Sequence, residues 1–376
     1  MPSRARLFFV EASKVGTQHI SLIDGYLQAI ASSSKIKQTF DIVVRCHDTL
    51  YSELGQDTQR NFAHESIPVI DPNTRRFVPK ILLEVWVVLQ TILRARKNDI
   101  VFVSCVMPTA LWIIEGLTQI LRRRVFVMLH GEVEGFYDKQ KSSFKNYGYW
   151  SKRWIQLRRS SSKLYLVVLD KFIRDRLLKD FPYKIRPEQI FTIHHPITFL
   201  ANRPEVSRPM PRACFIGYRT GFKGYEHFES IARELTAIEF VAIGGGKLEH
   251  VPSGQFDTLE ELGGYLPAIA DCDVAIFPYV GGYTASLSAA ALDALSAGVH
   301  IIATDRPFFT GLAEQFGPEV ITICSNTDQI RKLLNDSNWV ARQRESRASR
   351  LARLTVSPYN KESIRKGFEQ LITAVS

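Results

Sequence analysis

The sequence has little cysteine and little order in it. The five cysteines of the 376 residues (Cys46, Cys105, Cys214, Cys272, Cys324) lie far apart, with no C-x-x-C spacing and an odd total. That usage suits buried thiols in a reducing cytosol rather than a disulfide framework. Long hydrophobic runs are also missing. The longest, Ile81 to Leu93, is interrupted by Glu84 and Gln90 and falls short of the roughly 20 apolar residues that a membrane span needs, so no transmembrane helix is expected. Arg4 and Arg6 ahead of Leu7 to Val10 look superficially like a secretory signal, but Glu11 and Lys14 cut the apolar run off and no small-residue cleavage site follows; a first strand is expected there instead. There is no short-period repeat and no low-complexity tract. No G-x-G-x-x-G follows Leu7 to Val10 and no Walker A order occurs, which disfavours a nicotinamide-dependent dehydrogenase and a P-loop enzyme.

What is present points to an α/β chain of two parts. A content of 45% hydrophobic residues over this length fills two cores better than one. Strand-like runs at Leu7 to Val10, Phe40 to Val44, Ile100 to Ser104, Val125 to Leu129 and Leu164 to Leu169 alternate with helical stretches such as Ile81 to Arg96 and Pro108 to Arg123, the rhythm of a parallel sheet covered on both faces. A proline-dotted passage, Pro196 to Pro211, breaks the pattern as a linker would. The rhythm then restarts with strands at Ala213 to Gly217, Glu239 to Gly244, Val274 to Pro278 and Val299 to Thr304, and helices at Tyr225 to Glu234 and Ser288 to Ala297. Apolar positions at Ile364, Phe368, Leu371 and Ile372 predict a terminal helix. The expected domains are 1–200, 201–355, and a helix in 356–376 that packs back toward the first. Paired α/β halves usually face each other across a cleft, with ligands beyond the carboxyl ends of the strands.

Two segments of the second half could hold an anion. Gly217-Tyr218-Arg219-Thr220-Gly221-Phe222-Lys223-Gly224 places two cations and flexible backbone just past a strand, suited to a diphosphate through charge-assisted bonds; a solvated basic loop would read the same. Phe277 to Ser288, with Tyr279, Tyr283, Ser286, Leu287 and Ser288, leads into a small-residue helix starting at Ala289. Such a turn gathers N–H groups at the positive end of a helix dipole, although ordinary capping of an Ala-rich helix uses the same residues. Asp293 sits more than one turn inside that helix and must face solvent, a partner or a ligand hydroxyl.

These segments, in this order, resemble the C-terminal domain of GT-B-type glycosyltransferases, in particular the large retaining family that includes sucrose synthase and bacterial mannosyltransferases. The resemblance runs through Phe215-Ile216-Gly217 with Lys223-Gly224, Val241 to Gly246, Asp273 to Tyr279, and Leu292 to Gly298 followed by Ile301 to Asp305. It implies two Rossmann-like domains, a diphosphate held by Arg219 and Lys223, main-chain amides from Ser286 to Ala289, a ribose contact at Asp293, and donor contacts at Gly217 and Gly244. The family's E-x(7)-E pattern is altered: its second glutamate falls on Asp293 and its first on Ala285. Retention is favoured because the rest of the motif stands, while Ala285 leaves the anomeric outcome open.

In the first half, His130 stands where the run Val127 to Leu129 ends, fit to bond a sugar hydroxyl or move a proton, or to serve as a structural histidine. Glu132 and Glu134 are candidate bases, or solvated loop acids. Lys14 to His19 follows the first strand and looks like the family's loop between acceptor and donor, with Gly16 allowing close approach. His194-His195 lacks metal-ligand spacing and Asp271-Cys272-Asp273 enters an apolar run, so no metal and no cofactor are expected.

The net charge is +10, and one stretch stands out. Lys139, Lys141, Lys145, Lys152, Arg153, Arg158, Arg159 and Lys163 occur without an acidic residue among Phe144, Tyr147, Tyr149, Trp150 and Trp154. Cations with aromatic rings suit an anionic membrane surface, or a solvated helix whose rings belong to the core; no recognised nucleic-acid module accompanies them, so nucleic acid is not expected as a partner. The reading is a glycosyltransferase using a UDP or GDP sugar and a lipid-linked or polysaccharide acceptor, cytoplasmic and peripheral at the inner face of a membrane. A nucleotide-sugar epimerase of the same fold and a non-catalytic nucleotide-sugar-binding protein are the alternatives.

Overall fold

Leu7 to Val10 form the buried centre of the first strand in the computed structural model, which describes residues 4–16, 19–70, 77–137, 147–159, 164–197, 209–355 and 357–375. The chain divides into two compact units, Met1–Pro196 with Lys361–Ser376, and Ile197–Asn360. Each holds a seven-stranded sheet among the described residues.

In the first unit the strands are β1 (Ala5–Glu11), β2 (Phe40–Cys46), β3 (Ala63–Ser66), β4 (Ile100–Cys105), β5 (Arg124–Leu129), β6 (Leu164–Val168) and β7 (Ile190–Thr192). They pair in the order 3-2-1-4-5-6-7, all parallel. Central strands must be apolar on both faces, because helices cover both; Phe8, Phe9, Val10, Val101, Phe102, Val103 and Val125 to Leu129 are accordingly buried. Helix Lys361–Val375 belongs to this unit. Its Ile364, Phe368, Leu371 and Ile372 are buried, and the Phe368 ring stands edge-on to Tyr26 at 5.3 Å, on helix Ile20–Ser32.

The second unit contains β8 (Arg212–Ile216), β9 (Glu239–Gly244), β10 (Lys247–Val251), β11 (Phe256–Thr258), β12 (Val274–Phe277), β13 (His300–Thr304) and β14 (Ile321–Cys324), in the order 11-10-9-8-12-13-14. Four of the six pairings are parallel; β10 alone runs antiparallel, to β9 on one side and β11 on the other, so this sheet is mostly rather than wholly parallel. β9 turns directly into antiparallel β10 through Gly245 and Gly246, both at positive φ, which a two-residue hairpin with matching twist requires. The core of this sheet is built by Phe215, Phe228, Phe240, Val274, Ile276 and Ile302.

Asp271 and Asp273 are structural. Asp273 accepts from Arg212 N at 2.8 Å and from Arg344 Nε at 2.7 Å, and Asp271 accepts from Arg212 at 2.5 Å. All five cysteines are buried thiols.

The basic aromatic stretch falls partly outside the described residues, which hold only its helix Tyr147–Leu157 and the two residues after it. One part of the surface reading needs correction. Trp154 and Arg158 are buried: Trp154 Nε1 donates to Glu115 Oε2 at 2.8 Å, Arg158 donates to Glu115 Oε1 at 3.0 Å, and the guanidinium lies 5.2 Å from the Trp154 ring centroid. A buried arginine requires an acidic partner, and the half-buried Glu115 supplies it. Most of the passage Pro196 to Pro211 also lies outside the described residues. No described helix is long and apolar enough to cross a membrane.

Candidate active site

In the second unit, the parallel strands β8, β9 and β12 end at one edge of the sheet, and the two predicted loops meet there. Gly217 follows β8 at φ 106°, its N–H bonded to Ile243 O at 2.8 Å. A methyl group at Gly244 would come within 2.8 Å of Gly217 O, so the close approach of two strand ends holds Gly244 to glycine, while the positive φ of Gly217 does so there. A methyl group at Gly217 would lie 3.1 Å from Lys223 Nζ and 4.0 Å from the Ala290 Cβ. Gly217, Lys223 and the first turn of helix Ala289–Ser296 therefore line one small space.

Lys223 is half-buried, and no acidic side chain pairs with it among the described residues; burial lowers its pKa. Its ammonium lies 6.0 Å from the Tyr279 ring centroid. Arg219 differs. It is bonded to Glu249 on β10 and stacks over Tyr225 at 5.0 Å, and the Glu249 bond raises its pKa. The structure thus separates the two cations that the sequence groups together: Lys223 beside the helix terminus, Arg219 engaged with a carboxylate.

The second loop is fastened to the first. Val280 N and Gly281 N donate to Phe222 O at 3.0 and 3.2 Å, and Gly224, at φ 68°, packs so closely that a methyl group there would meet Pro278 O at 1.9 Å. Tyr279 is buried, its hydroxyl 3.1 Å from Ser288 Oγ and its ring 4.6 Å from that of Tyr283. Tyr283 itself adopts φ 55°, uncommon for a side-chain-bearing residue. Ser288 is the N-cap, accepting from Ala291 N, which leaves the first amides of the helix at its positive end. Ser286 and Leu287 are half-buried, Ala289 is exposed, and Ala285 is buried.

Asp293 carries the second polar feature of this helix. Its Oδ2 accepts from the Tyr265 hydroxyl at 3.2 Å, and burial raises its pKa to about 6 although the Tyr265 bond opposes the rise. Tyr265 was not foreseen from the sequence; the pair Gly263-Gly264, both at positive φ, opening a short apolar helix was the available signal.

The first unit gathers a different group at the carboxyl ends of β1, β4 and β5. His130 follows β5, its N–H donating to Glu132 Oε2 at 2.6 Å and its Nε2 lying 2.8 Å from Ser104 O. A carbonyl only accepts, so Nε2 carries the proton and Nδ1 is left as an acceptor. Burial lowers the His130 pKa to about 4, and the neighbouring His19 ring, 5.1 Å away, is lowered to about 2, so both are neutral near pH 7. Glu132 is buried and its carboxylate accepts from the His130 N–H, so it is not a solvated loop acid. Glu11 and Glu84 are buried close by. Burial would depress Lys14, yet Cys105, Glu11, Glu132 and Glu84 together hold its pKa above the ordinary value. Gly16, at φ 56°, has open space on its side-chain face.

His19, Cys105 and His130 offer ligand atoms within 4.8 Å of one another. Three soft donors are a zinc-like set, but the Lys14 cation acts on all three, so a positive charge already occupies that neighbourhood. His194 and His195 are unlike a metal pair: His194 approaches Asp170 at 3.6 Å and His195 Nδ1 meets Pro196 O at 2.8 Å.

No protein-family model matches the chain, and no curated protein matches it. Solved structures do. The chain is similar to sucrose-phosphate synthase from Thermosynechococcus elongatus, at 13% identity, 99% coverage of each chain and a TM-score of 0.64. It is also similar to HepE from Anabaena in complex with UDP-glucose, at 12% identity, 98% and 99% coverage and a TM-score of 0.64. A third likeness is to WaaG, a glycosyltransferase involved in lipopolysaccharide biosynthesis, at 12% identity, 98% and 99% coverage and a TM-score of 0.59. Over nearly its whole length, this chain has the two-sheet GT-B fold of those glycosyltransferases.

Proposed function

We propose that the chain is a glycosyltransferase that moves a sugar from a nucleoside diphosphate to an acceptor hydroxyl, the diphosphate lying between Gly217, Lys223 and the N-terminus of helix Ala289–Ser296. The observation that carries this reading is Lys223, a half-buried cation without an acidic partner among the described residues, set beside a helix N-terminus. A half-buried cation of this kind is favoured by an anion beside it, and the helix end and glycine backbone suit phosphate oxygens. Asp293, on the same helix, takes the ribose hydroxyls. HepE, of the same fold, is seen with UDP-glucose and with UDP.

In the reaction, the bond from the anomeric carbon to the diphosphate oxygen breaks and the acceptor oxygen bonds that carbon. The electron pair leaves with the diphosphate, where Lys223 and the helix amides stabilise it as charge develops; the hydroxyl proton passes to a base. His130, with Nδ1 unprotonated, is suited to bond a sugar hydroxyl, and Glu132 holds it in place. Arg219 joins the phosphates only by leaving Glu249. The acceptor is a lipid-linked or growing polysaccharide, as the lipopolysaccharide role of WaaG suggests by analogy. Retention is the favoured outcome, with Ala285 giving no polar contact to the transferred sugar.

The test is incubation with UDP, GDP, ADP and TDP sugars, with and without a crude lipid-linked saccharide fraction, the products followed by NMR. Release of nucleoside diphosphate with a new glycosidic product of the donor's anomeric configuration supports the reading. Isomerised sugar nucleotide from donor alone would replace it with an epimerase, and binding without transfer or hydrolysis would leave a binding protein.

A further inference from the structure

Three helices of the N-terminal unit, Phe77–Arg94, Pro108–Leu121 and Tyr147–Leu157, pack against one another in sequence. Their inward sides are buried as a crossover layer requires, through Val87, Val88, Ile92, Ala110, Leu111, Ile114, Trp154 and Ile155. Their outward sides ought then to be polar. They are not. Of the thirteen large hydrophobic side chains exposed among the described residues, seven belong to these helices: Val78, Leu82, Trp86, Leu93, Ile113, Ile120 and Leu157. Val78, Leu82, Trp86 and Leu93 recur at four, four and seven residues, which stacks them in one stripe about 22 Å long; Ile113 and Ile120, seven apart, repeat the arrangement on the neighbouring helix. Leu82 is 63% exposed, Trp86 53% and Ile120 77%. Scattered exposed hydrophobics need no explanation, but a contiguous set on adjoining helices marks an interaction surface.

Charge decides what it meets. Among residues 78–122, the exposed charged side chains are Arg94, Arg96, Lys97 and Arg122, and none is acidic. The acids of this stretch are withdrawn: Glu84 and Asp99 are buried, and Glu115 is bonded to Trp154 and Arg158. Arg96, Lys97, Arg122 and, past the third helix, the exposed Arg159 all sit where the helices end, so the cations gather at one border of the apolar face.

We propose that this face docks on an anionic lipid bilayer, with the two apolar stripes lying in the interface, Trp86 at headgroup level and the cationic border on the headgroup charges. An amphipathic surface of this kind binds in the plane of the membrane, and each basic residue adds attraction to anionic lipid. A second copy docked through the same face would offer apolar surface but, within residues 78–122, no exposed acid to the cations; Arg94 is already paired, with Glu65. The face overlaps the sequence's basic aromatic stretch only at Leu157 and Arg159. It is independent of the nucleotide site, since lipid binding needs no turnover.

The experiment is co-sedimentation of the full chain with vesicles of equal parts phosphatidylglycerol and phosphatidylcholine, against phosphatidylcholine alone. The expected result is strong binding to the anionic vesicles, weakened by salt, and reduced about tenfold or more in Leu82→Gln/Trp86→Gln and in Lys97→Gln/Arg122→Asn. Both pairs change exposed side chains, and asparagine tolerates the left-handed backbone at Arg122 (φ 50°). Unchanged unfolding temperature and unchanged nucleotide binding would show that only the surface was altered. Two results would overturn the proposal: equal binding to both vesicle types or to none, and a concentration-dependent dimer in ultracentrifugation that Leu82→Gln/Trp86→Gln abolishes, which would make the face a self-association surface.

Discussion

Replacing Lys223 by methionine keeps the stem of the side chain and removes its charge, so the change isolates the ammonium that sits by Gly217 and Ala290. A bond between a charged donor and a phosphate oxygen contributes roughly 1.5 to 3 kcal/mol. Each 1.4 kcal/mol is about tenfold in affinity, so UDP or GDP, whichever binds, should lose about tenfold to a hundredfold, the lower part of the range reflecting the part of Lys223 that stays in water. Arg219→Ala makes the contrast. Arg219 is exposed and its charge is already engaged by Glu249, and exposed pairs are worth about 0 to 1 kcal/mol, so its loss should stay within about fivefold. Calorimetric titration reads both, and pH gives an independent check. Burial depresses the Lys223 pKa, and phosphate favours the protonated amine, so affinity should hold through neutral pH and fall as pH rises through that depressed pKa; Lys223→Met should lose this alkaline decline. If Lys223→Met binds every nucleotide within about threefold of the parent, or if Arg219→Ala is the more damaging change, the diphosphate does not lie where the glycines and Lys223 place it.

Asp293 should impose a second pH dependence. Its pKa is raised from 3.8 to about 6 by burial, so the unliganded protein keeps the proton below that pH, and a carboxylate that accepts from ribose hydroxyls must lose it. Nucleotide affinity is therefore expected to rise from pH 5 to pH 7 with a midpoint near 6. Tyr265→Phe should move the midpoint upward and Asp293→Asn flatten the profile, while a parent profile without an inflection near 6 would dismiss the ribose role. The same raised pKa works against stability as the group ionises between 3.8 and about 6, so Asp293→Asn should gain relative to the parent on going from pH 4 to pH 7. Gly224→Ala is a test of structure: its methyl group would meet Pro278 O at 1.9 Å at φ 68°, and urea unfolding should show a loss of at least about 2 kcal/mol. An unchanged midpoint would contradict the close packing of the two loops.

The sheets were legible in the sequence where strands are central and opaque where they are marginal. β1, β4, β5, β12 and β13 are buried on both faces, so each prints a continuous apolar run. β3 reads Ala-His-Glu-Ser with no buried residue, and β7 and β11 have three residues each; outer strands carry no such run. β10 reads Lys-Leu-Glu-His-Val, its two apolar residues Leu248 and Val251 three positions apart and without strand alternation, and its link to β9 is a glycine pair, which from sequence alone suggests a phosphate loop as readily as a hairpin. At the site, the position of Lys223 after a strand and of Ser288 before a helix could be read directly, because both depend on local order. The pairing of Arg219 with Glu249 could not: it joins residues 30 apart through a strand the sequence did not announce. Trp154 and Arg158 failed for a similar reason, since their partner Glu115 lies on another helix, 39 and 43 positions away.

Behind helix Ala289–Ser296 lies an arrangement with its own consequence. Arg347 donates to Ala270 O and Ala297 O, and Arg350 Nε donates to Gly298 O at 2.9 Å, so two buried guanidiniums cover the carboxyl end of helix Ala289–Ser296. Eight residues make a helix only about 12 Å long. Over that distance the negative end of so short a dipole would cancel much of the field at the positive end. With the rear pole neutralised, the front acts nearly as an isolated partial charge. A short helix thereby exerts the pull of a longer one, and helix Arg347–Thr355, remote in sequence, becomes part of the electrostatics that a phosphate would feel.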